Sequence, residues 1–325
     1  MRGEPVLARG LKAGVLCNPQ SGRARRILQA LRRAAAALPG ARYHEAVSRL
    51  DMVSALNDFS ADGVDVLAVI GGDGTVHAVL SHLLRTGASP ALPMLTVVPA
   101  GTTNMTASDL GIHGHPLALL ARLRKHLEHP GGARTLDRPV LRVEHAGLLF
   151  HGMFFGTGMI AEGVRFFLER VREKGILGEK GSALVMARSL AKMFWPGPEA
   201  KRMLLNASLS LEDEPAGERT YLLVFASALQ RLLLGMRPYW GREPAPIHMT
   251  ALSPAPCRLW RRLPWLISGH GDGLRAEEGY LSRNVNRLAL RMAGDFVVDG
   301  ELYSADPGRG PVQVSAAGPI RIMQI

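Results

Sequence analysis

The chain has 325 residues, and 39 lysine and arginine side chains against 28 aspartate and glutamate give it a net charge of +11. That length suits two domains or one large one, and 47% hydrophobic with 21% charged residues excludes a disordered tail. No apolar run approaches the roughly 18 residues that cross a bilayer. Arg2, Glu4, Arg9 and Lys12 break up the first apolar stretches, unlike a secretory signal, so cytoplasmic residence is expected. Cys17 and Cys257 are the only cysteines, which excludes a disulfide scaffold and a four-cysteine zinc site.

In chain order, Ala13 to Cys17 is a short apolar strand, Asn18-Pro19-Gln20-Ser21-Gly22 a loop, and Arg23 to Leu38 a helix closed by Pro39-Gly40. After a helix over Asp51 to Phe59, the unbroken apolar run Val66 to Ile70 predicts a buried parallel strand. It enters Gly71-Gly72-Asp73-Gly74-Thr75, and helical spacing resumes from Val76 to Leu84. A third round follows, with strand Leu95 to Val98, loop Pro99-Ala100-Gly101-Thr102-Thr103-Asn104 and a short helix from Met105 to Leu110. Three such units predict a doubly wound parallel sheet with helices on both faces.

Beyond residue 137 the pattern changes. Short segments at 140–143, 148–154, 204–211, 221–226, 288–292, 296–298 and 312–314 predict antiparallel β structure. A basic amphipathic stretch from Val164 to Phe194, broken over Gly175 to Gly181, predicts two inserted helices. Its apolar stripe of Phe166, Phe167, Val171, Leu184, Val185, Leu190, Met193 and Phe194 suits core packing or an acyl pocket. The proline-rich run from Arg237 to Pro264 is expected to be irregular. The fold class is α/β plus β: an N-terminal doubly wound nucleotide domain over 1–137 and a C-terminal antiparallel β-sandwich over 138–325. The last strand either stays in the sandwich or returns to the first domain.

The positive charge is concentrated in two segments. Residues 1–33 hold eight basic side chains against Glu4, a net of +7, and residues 219–262 hold seven arginines against Glu243, a net of +6. The second segment includes Tyr221, Tyr239, Trp240 and Trp260, with Trp265 just beyond. Such a mixture suits an anionic lipid surface or nucleic acid, with a solvated basic face as the plain alternative. No recognition-helix motif or RNP-type strand accompanies the arginines, so nucleic acid is not expected as a partner.

In an open parallel sheet, ligands gather where loops leave the carboxyl ends of the strands, and the three loops above all emerge there. Glycines let phosphate oxygens approach backbone N–H groups, and the following helix adds its positive end. The Gly71 to Thr75 loop has neither a Walker A lysine nor dinucleotide spacing. Its Asp73 stands where phosphate is expected, and two anions so close repel by several kcal/mol at an effective dielectric of about 20 unless a cation lies between them. Asp73 thus suggests Mg²⁺ and a di- or triphosphate, or else caps the helix starting near Thr75. A second acidic element, Asp299-Gly300-Glu301, follows the strand Phe296 to Val298, where Asp-Gly also suits a plain hairpin turn.

These motifs resemble the diacylglycerol kinase catalytic-domain family, which includes bacterial lipid kinases and the sphingosine and ceramide kinases. Asn18 to Gly22 is similar to its N-P-x-S-G loop, Gly71 to Thr75 to G-G-D-G-T, Pro99 to Asn104 to P-x-G-T-x-N, and Asp299 to Glu301 to its late D-G-E. The resemblance implies an ATP- and Mg²⁺-dependent lipid kinase, with the nucleotide held by Asn18, Ser21, Gly22, Gly71, Gly72, Gly74, Thr75, Gly101, Thr102, Thr103 and Asn104. It implies Asp73 as the Mg²⁺ ligand, directly or through water, and Asp299 as general base with Glu301 beside it; Asp73 is the other candidate for the base. Gly156 to Glu162 resembles the acceptor segment, making Glu162 a substrate contact, and Gly269-His270 is expected near a strand. Met105 departs from the family's aspartate, and the Asp-Gly pair linked to a structural metal is missing from Leu232 to Leu252.

The implied partners are ATP, a lipid alcohol and, peripherally, an anionic membrane, with the oligomeric state open. A sphingoid or ceramide-type kinase, an NAD-kinase-like enzyme and a non-catalytic nucleotide-dependent membrane-binding protein remain alternatives. The eleven histidines show no ligand spacing that suggests a transition metal.

Overall fold

The computed structural model describes residues 11–85, 92–101, 103–129, 133–174, 204–212, 214 and 217–325. The chain forms two compact units, Met1–Arg138 with Pro319–Ile325, and Pro139–Gly318.

In the first unit, strands β1 (Ala13–Cys17), β2 (Arg42–Glu45), β3 (Val66–Gly71) and β4 (Met94–Pro99) lie parallel in the order β2-β1-β3-β4. Every residue of β1 and β3 is buried, because helices cover both sheet faces; the unbroken apolar runs reflect this. The helices of this unit among the described residues are α1 (Gly22–Arg26), α2 (Leu28–Ala36), α3 (Arg49–Ala61), α4 (Asp73–Arg85), α5 (Met105–Asp109) and α6 (Pro116–Glu128). Helix α2 packs on α6, and α3 packs on α4. The helix expected over Arg23 to Leu38 is split at Ile27, whose N–H closes a tight turn on the Ala24 carbonyl. The chain leaves β1 for β2 on one side and reaches β3 on the other, so the strand order reverses between β1 and β3, where α/β sheets bind ligands.

Among the described residues the second unit contains two antiparallel sheets. One runs β12 (Tyr280–Val285), β11 (Ile247–Leu252), β10 (Leu223–Ser227), β7 (Phe154–Gly158), β14 (Gly294–Val298) and β15 (Glu301–Ala305). The other pairs β9 (Glu218–Tyr221), β8 (Leu205–Leu211), β13 (Arg287–Met292) and the start of β16 (Val312–Gln324), with β5 (Arg134–His145) and β6 (Leu148–Gly152) beside it. Phe155, Val224, Met249 and Phe296 of the first sheet share one core with Leu209, Leu290, Val312 and Val314 of the second, which makes a sandwich. Strand β16 leaves this unit at Gly318, and its end lies parallel to β4, with Ile322 opposite Leu95.

The proline-rich run is irregular over 237–246 and 253–258 but contains a strand and the start of a helix. Pro244, Pro246, Pro254 and Pro256 flank β11 rather than interrupt it, and Leu259–Ser268 forms a helix, α8, that contains Pro264. Leu263, Leu266 and Ile267 of α8 pack over the outer face of the six-stranded sheet against Phe225, Leu252 and Tyr280. Gly269, expected near a strand, instead ends α8 in the left-handed conformation at φ 80°. Helix α7 (Met159–Lys174) forms the first part of the predicted helical insertion. Leu184, Val185, Leu190, Met193 and Phe194, and the break over 175–181, lie outside the described residues.

Candidate active site

The three glycine-bearing loops of the first unit are bonded to one another. Asn18 donates its backbone N–H to the Ile70 carbonyl at 2.9 Å and its side-chain N–H to Thr75 Oγ1 at 3.0 Å, while its Oδ1 accepts the Gln20 N–H. Ala100 donates to the Gly71 carbonyl at 2.8 Å and accepts from Arg23 N–H at 2.9 Å, so the third loop holds both of the others. Gly72 and Gly101 touch backbone to backbone: a Cβ on Gly101 would lie 2.5 Å from the Gly72 Cα. No larger residue fits there. Asn104 takes φ 49°, which asparagine tolerates, and brackets Gly101 with Oδ1 accepting its N–H at 2.9 Å and Nδ2 donating to its carbonyl at 2.7 Å.

Asp73 is the first residue of α4, yet its carboxylate serves another helix. Oδ2 accepts the Met105 N–H at 3.0 Å and Oδ1 the Thr106 N–H at 2.9 Å, at the start of α5. The carboxylate thus joins the second loop to the start of α5, a cap of its own helix being the plain alternative. Met105 meets Asp73 through its backbone, so the absent aspartate side chain does not weaken this contact. The Ser21 N–H bonds the Asn18 carbonyl, and Gly22 begins α1. Gly74 has open space at its Cβ position, Thr103 is half-buried, and Thr102 lies outside the described residues. At the start of α4 the Thr75 and Val76 N–H groups bond the Gly72 carbonyl at 3.0 and 3.1 Å, and this helix N-terminus lies at the sheet's switch point, a setting that suits an anion.

In the second unit, Asp299 and Gly300 form the two-residue turn between β14 and β15, with φ 48° and 91°, the combination that joins twisted strands. The Asp299 carboxylate accepts the Met153 N–H, at 3.1 and 3.0 Å to its two oxygens, and the Phe154 N–H at 2.8 Å. Its own N–H donates to the Phe154 carbonyl at 3.0 Å. These bonds fix the orientation of the carboxylate. Glu301 is exposed and accepts the Tyr303 hydroxyl at 2.8 Å; the Tyr303 ring lies 4.1 Å from that of Phe150.

Glu162 lies in the first turn of α7, 3.2 Å from Arg165, which also binds Asp295, and Asp295 accepts the Ser304 hydroxyl at 2.7 Å. Sequence reasoning missed this chain, as it missed Gly152, whose Cβ would lie 2.6 Å from Asp299 Oδ2. A glycine inside a strand pattern signals close backbone approach, but not what approaches. Among the described residues, no group of three His, Cys, Asp or Glu side chains could hold a metal.

The loops Asn18 to Gly22, Gly71 to Thr75 and Pro99 to Asn104 all fall within residues 12–133, which match the model of the diacylglycerol kinase catalytic domain. A protein of Stenotrophomonas maltophilia (strain K279a), named for its likeness to the lipid kinase YegS, is 40% identical over 101 residues. That alignment spans 31% of this chain and 32% of the relative, about a third of its length. Two solved structures from Bacillus anthracis (str. Sterne) named as diacylglycerol kinases are similar over nearly the whole chain. One has TM-score 0.63 at 18% identity and covers 94% of both chains. The other has TM-score 0.61 at 14% identity and covers 97% of both. At these identities the likeness is one of fold. Asp299, Glu301 and Glu162 lie outside the matched catalytic domain.

Proposed function

We propose that this protein transfers the γ-phosphate of ATP to the hydroxyl of a membrane lipid, a diacylglycerol-like alcohol, in a Mg²⁺-dependent reaction. The observation that carries the reading is the bonding of three glycine-bearing loops, one holding Asp73, at the switch point of a diacylglycerol kinase catalytic domain. Backbone N–H groups of the Gly71 to Thr75 loop and the start of α4 hold the phosphates. Asn18, Ser21, Gly22, Gly101, Thr102, Thr103 and Asn104 complete the nucleotide site.

A lone carboxylate suits Mg²⁺, which keeps several waters and binds one or two carboxylates together with substrate phosphates. Asp73 would hold it, directly or through water, with the Met105 and Thr106 N–H groups fixing the orientation of its carboxylate. When bound, Mg²⁺ neutralises charge on the phosphate oxygens. Asp299 accepts the proton of the lipid hydroxyl as the oxygen attacks the γ-phosphorus. The Met153 and Phe154 N–H groups keep the carboxylate in one orientation for that step. Glu301 is assigned to the phosphate and Glu162 to the headgroup as polar contacts.

The lipid acceptor implies peripheral contact with an anionic membrane, on the cytoplasmic side. Among the described residues no helix is long and apolar enough to cross a bilayer. Incubation with labelled ATP and a total lipid extract, with the product identified by mass, tests the proposal. A phosphorylated glycerolipid supports it; label on a sphingoid base or on NAD assigns another acceptor, and ATP binding without any labelled product overturns it.

A further inference from the structure

Resting on the reading of a lipid kinase, we infer that α8 and the Leu232–Gly235 turn beside it form the element that seats this protein on an anionic bilayer. Helix α8 has one apolar face against the sheet and large apolar side chains among its exposed residues. Leu259, Leu263, Leu266 and Ile267 turn inward onto Tyr239, Leu252 and Tyr280. The exposed positions are Trp260 on the flank beside Ile267 and Arg261, Pro264, Trp265 and Ser268 on the far side, with Trp260 49% and Trp265 55% exposed. A helix packed on one side normally turns polar residues to water on the other. Two indoles with arginine between them are instead the composition that lies at the headgroup level of a membrane.

The adjoining turn adds an independent observation. Leu234 has φ 57° and is 87% exposed, so a bulky apolar side chain is held outward by an uncommon backbone conformation. In water neither the conformation nor the exposure is compensated; insertion among acyl chains compensates the exposure. The turn is fixed to the helix. Leu232 packs in the same cluster as Leu263 and Ile267, the Arg237 N–H donates to the Ile267 carbonyl at 2.8 Å, and a Cβ on Gly269 would lie 3.2 Å from the Arg237 carbonyl oxygen.

Charge selects the partner. No acidic residue occurs between Glu243 and Asp272, while Arg237, Arg258 and Arg261 are exposed. The acidic groups nearest in sequence already serve other arginines: Asp272 binds Arg242 at 2.8 Å, and Glu278 holds Arg262 by two bonds at 2.6 and 2.7 Å. Arg262 therefore belongs to the fold, and Arg258 and Arg261 to the docking face. Each adds roughly fivefold to partitioning onto an anionic surface.

The test is cosedimentation of the full chain with vesicles of phosphatidylcholine alone and of phosphatidylcholine mixed with phosphatidylglycerol, at low and high salt. The wild type binds the mixed vesicles, more weakly at high salt. Leu234→Ser with Trp265→Ala lowers binding roughly tenfold or more, as does Arg258→Glu with Arg261→Glu, whereas Arg25→Glu with Arg33→Glu, an equal charge change in α1 and α2, does not. Brominated acyl chains quench tryptophan fluorescence in the wild type and not in Trp260→Phe with Trp265→Phe. Equal binding by the Leu234/Trp265 variant, an equal loss in the Arg25/Arg33 control, or a change of self-association in place of vesicle binding overturns the inference. Phosphoryl transfer to a short-chain, water-soluble diacylglycerol is measured in parallel. Docking through α8 with no transfer supports the surface and overturns the kinase reading; transfer with no docking does the reverse.

Discussion

The carboxylate of Asp299 occupies the space where a side chain on Gly152 would begin, 2.6 Å from an ideal Cβ. The two residues are 147 positions apart, and the N–H groups that hold the carboxylate belong to the two residues directly after Gly152. Strand β6 thus ends in a glycine so that the β14–β15 turn can place an acid against the start of β7.

Gly152→Ala should push the Asp299 carboxylate off the Met153 and Phe154 N–H groups. Crowding of this kind typically costs about 1–3 kcal/mol, so the melting temperature falls. Phosphoryl transfer should fall by roughly tenfold or more while ATP affinity, measured by calorimetry, stays at the wild-type value. A variant with lowered ATP affinity and normal turnover would place this contact outside the chemistry.

Asp73→Asn should destabilise the first unit even without nucleotide or metal. Asparagine presents one oxygen where Asp73 presents two, leaving either Met105 or Thr106 N–H without its acceptor, a loss of about 1–3 kcal/mol. Thermal melting in the presence of a chelator checks this. An unchanged melting temperature would mean that the cap on α5 does not hold in solution.

Gly101→Ala should be among the most damaging substitutions that add a single methyl group. The methyl would lie 2.5 Å from the Gly72 Cα, which is backbone and has no rotamer to relieve it. The second and third loops must separate, so ATP affinity should fall by about tenfold or more, with thermal stability reduced as well. Gly74→Ala meets open space and serves as the control.

Burial pushes the pKa of His82 down from its ordinary value, with Arg85 adding to the shift. In the unfolded chain the imidazole protonates as pH falls below about 6.5, while the folded protein resists protonation. Stability is therefore retained above that value and lost as pH falls toward and through the folded pKa. His82→Gln should flatten the fall in melting temperature between neutral and mildly acidic pH; a wild-type slope in the variant would assign that slope to other groups.

The parallel half of the fold is legible in the sequence because β1, β3 and β4 are buried on both faces, so their apolar runs are nearly unbroken, and each ends in a glycine or proline-rich loop. The Asp299-Gly300 turn is legible for a similar reason, since two consecutive positive φ angles favour that dipeptide. The targets of the carboxylates are not legible. Asp73 finds its N–H groups 32 and 33 residues away, and Asp299 finds its own 145 and 146 away, through backbone groups that carry no side-chain signature. Helix α8 is concealed by Pro264, which signals irregular structure locally but is outweighed by the packing of Leu263, Leu266 and Ile267. Asn18 stands between: its turn with Gln20 is readable, its bond to Thr75 is not.

In the proposed function Asp299 is the base for the lipid hydroxyl, and the Asn18, Gly71 and Pro99 loops bind ATP. The most direct measurement is Mg²⁺-dependent transfer of labelled phosphate from ATP to dispersed diacylglycerol by wild type and Asp299→Asn, with ATP affinity determined on the same samples. A fall in kcat of about a hundredfold to ten-thousandfold with unchanged ATP affinity is the predicted result. Undiminished transfer by Asp299→Asn, or no transfer to lipid by a wild type that binds ATP, would contradict it.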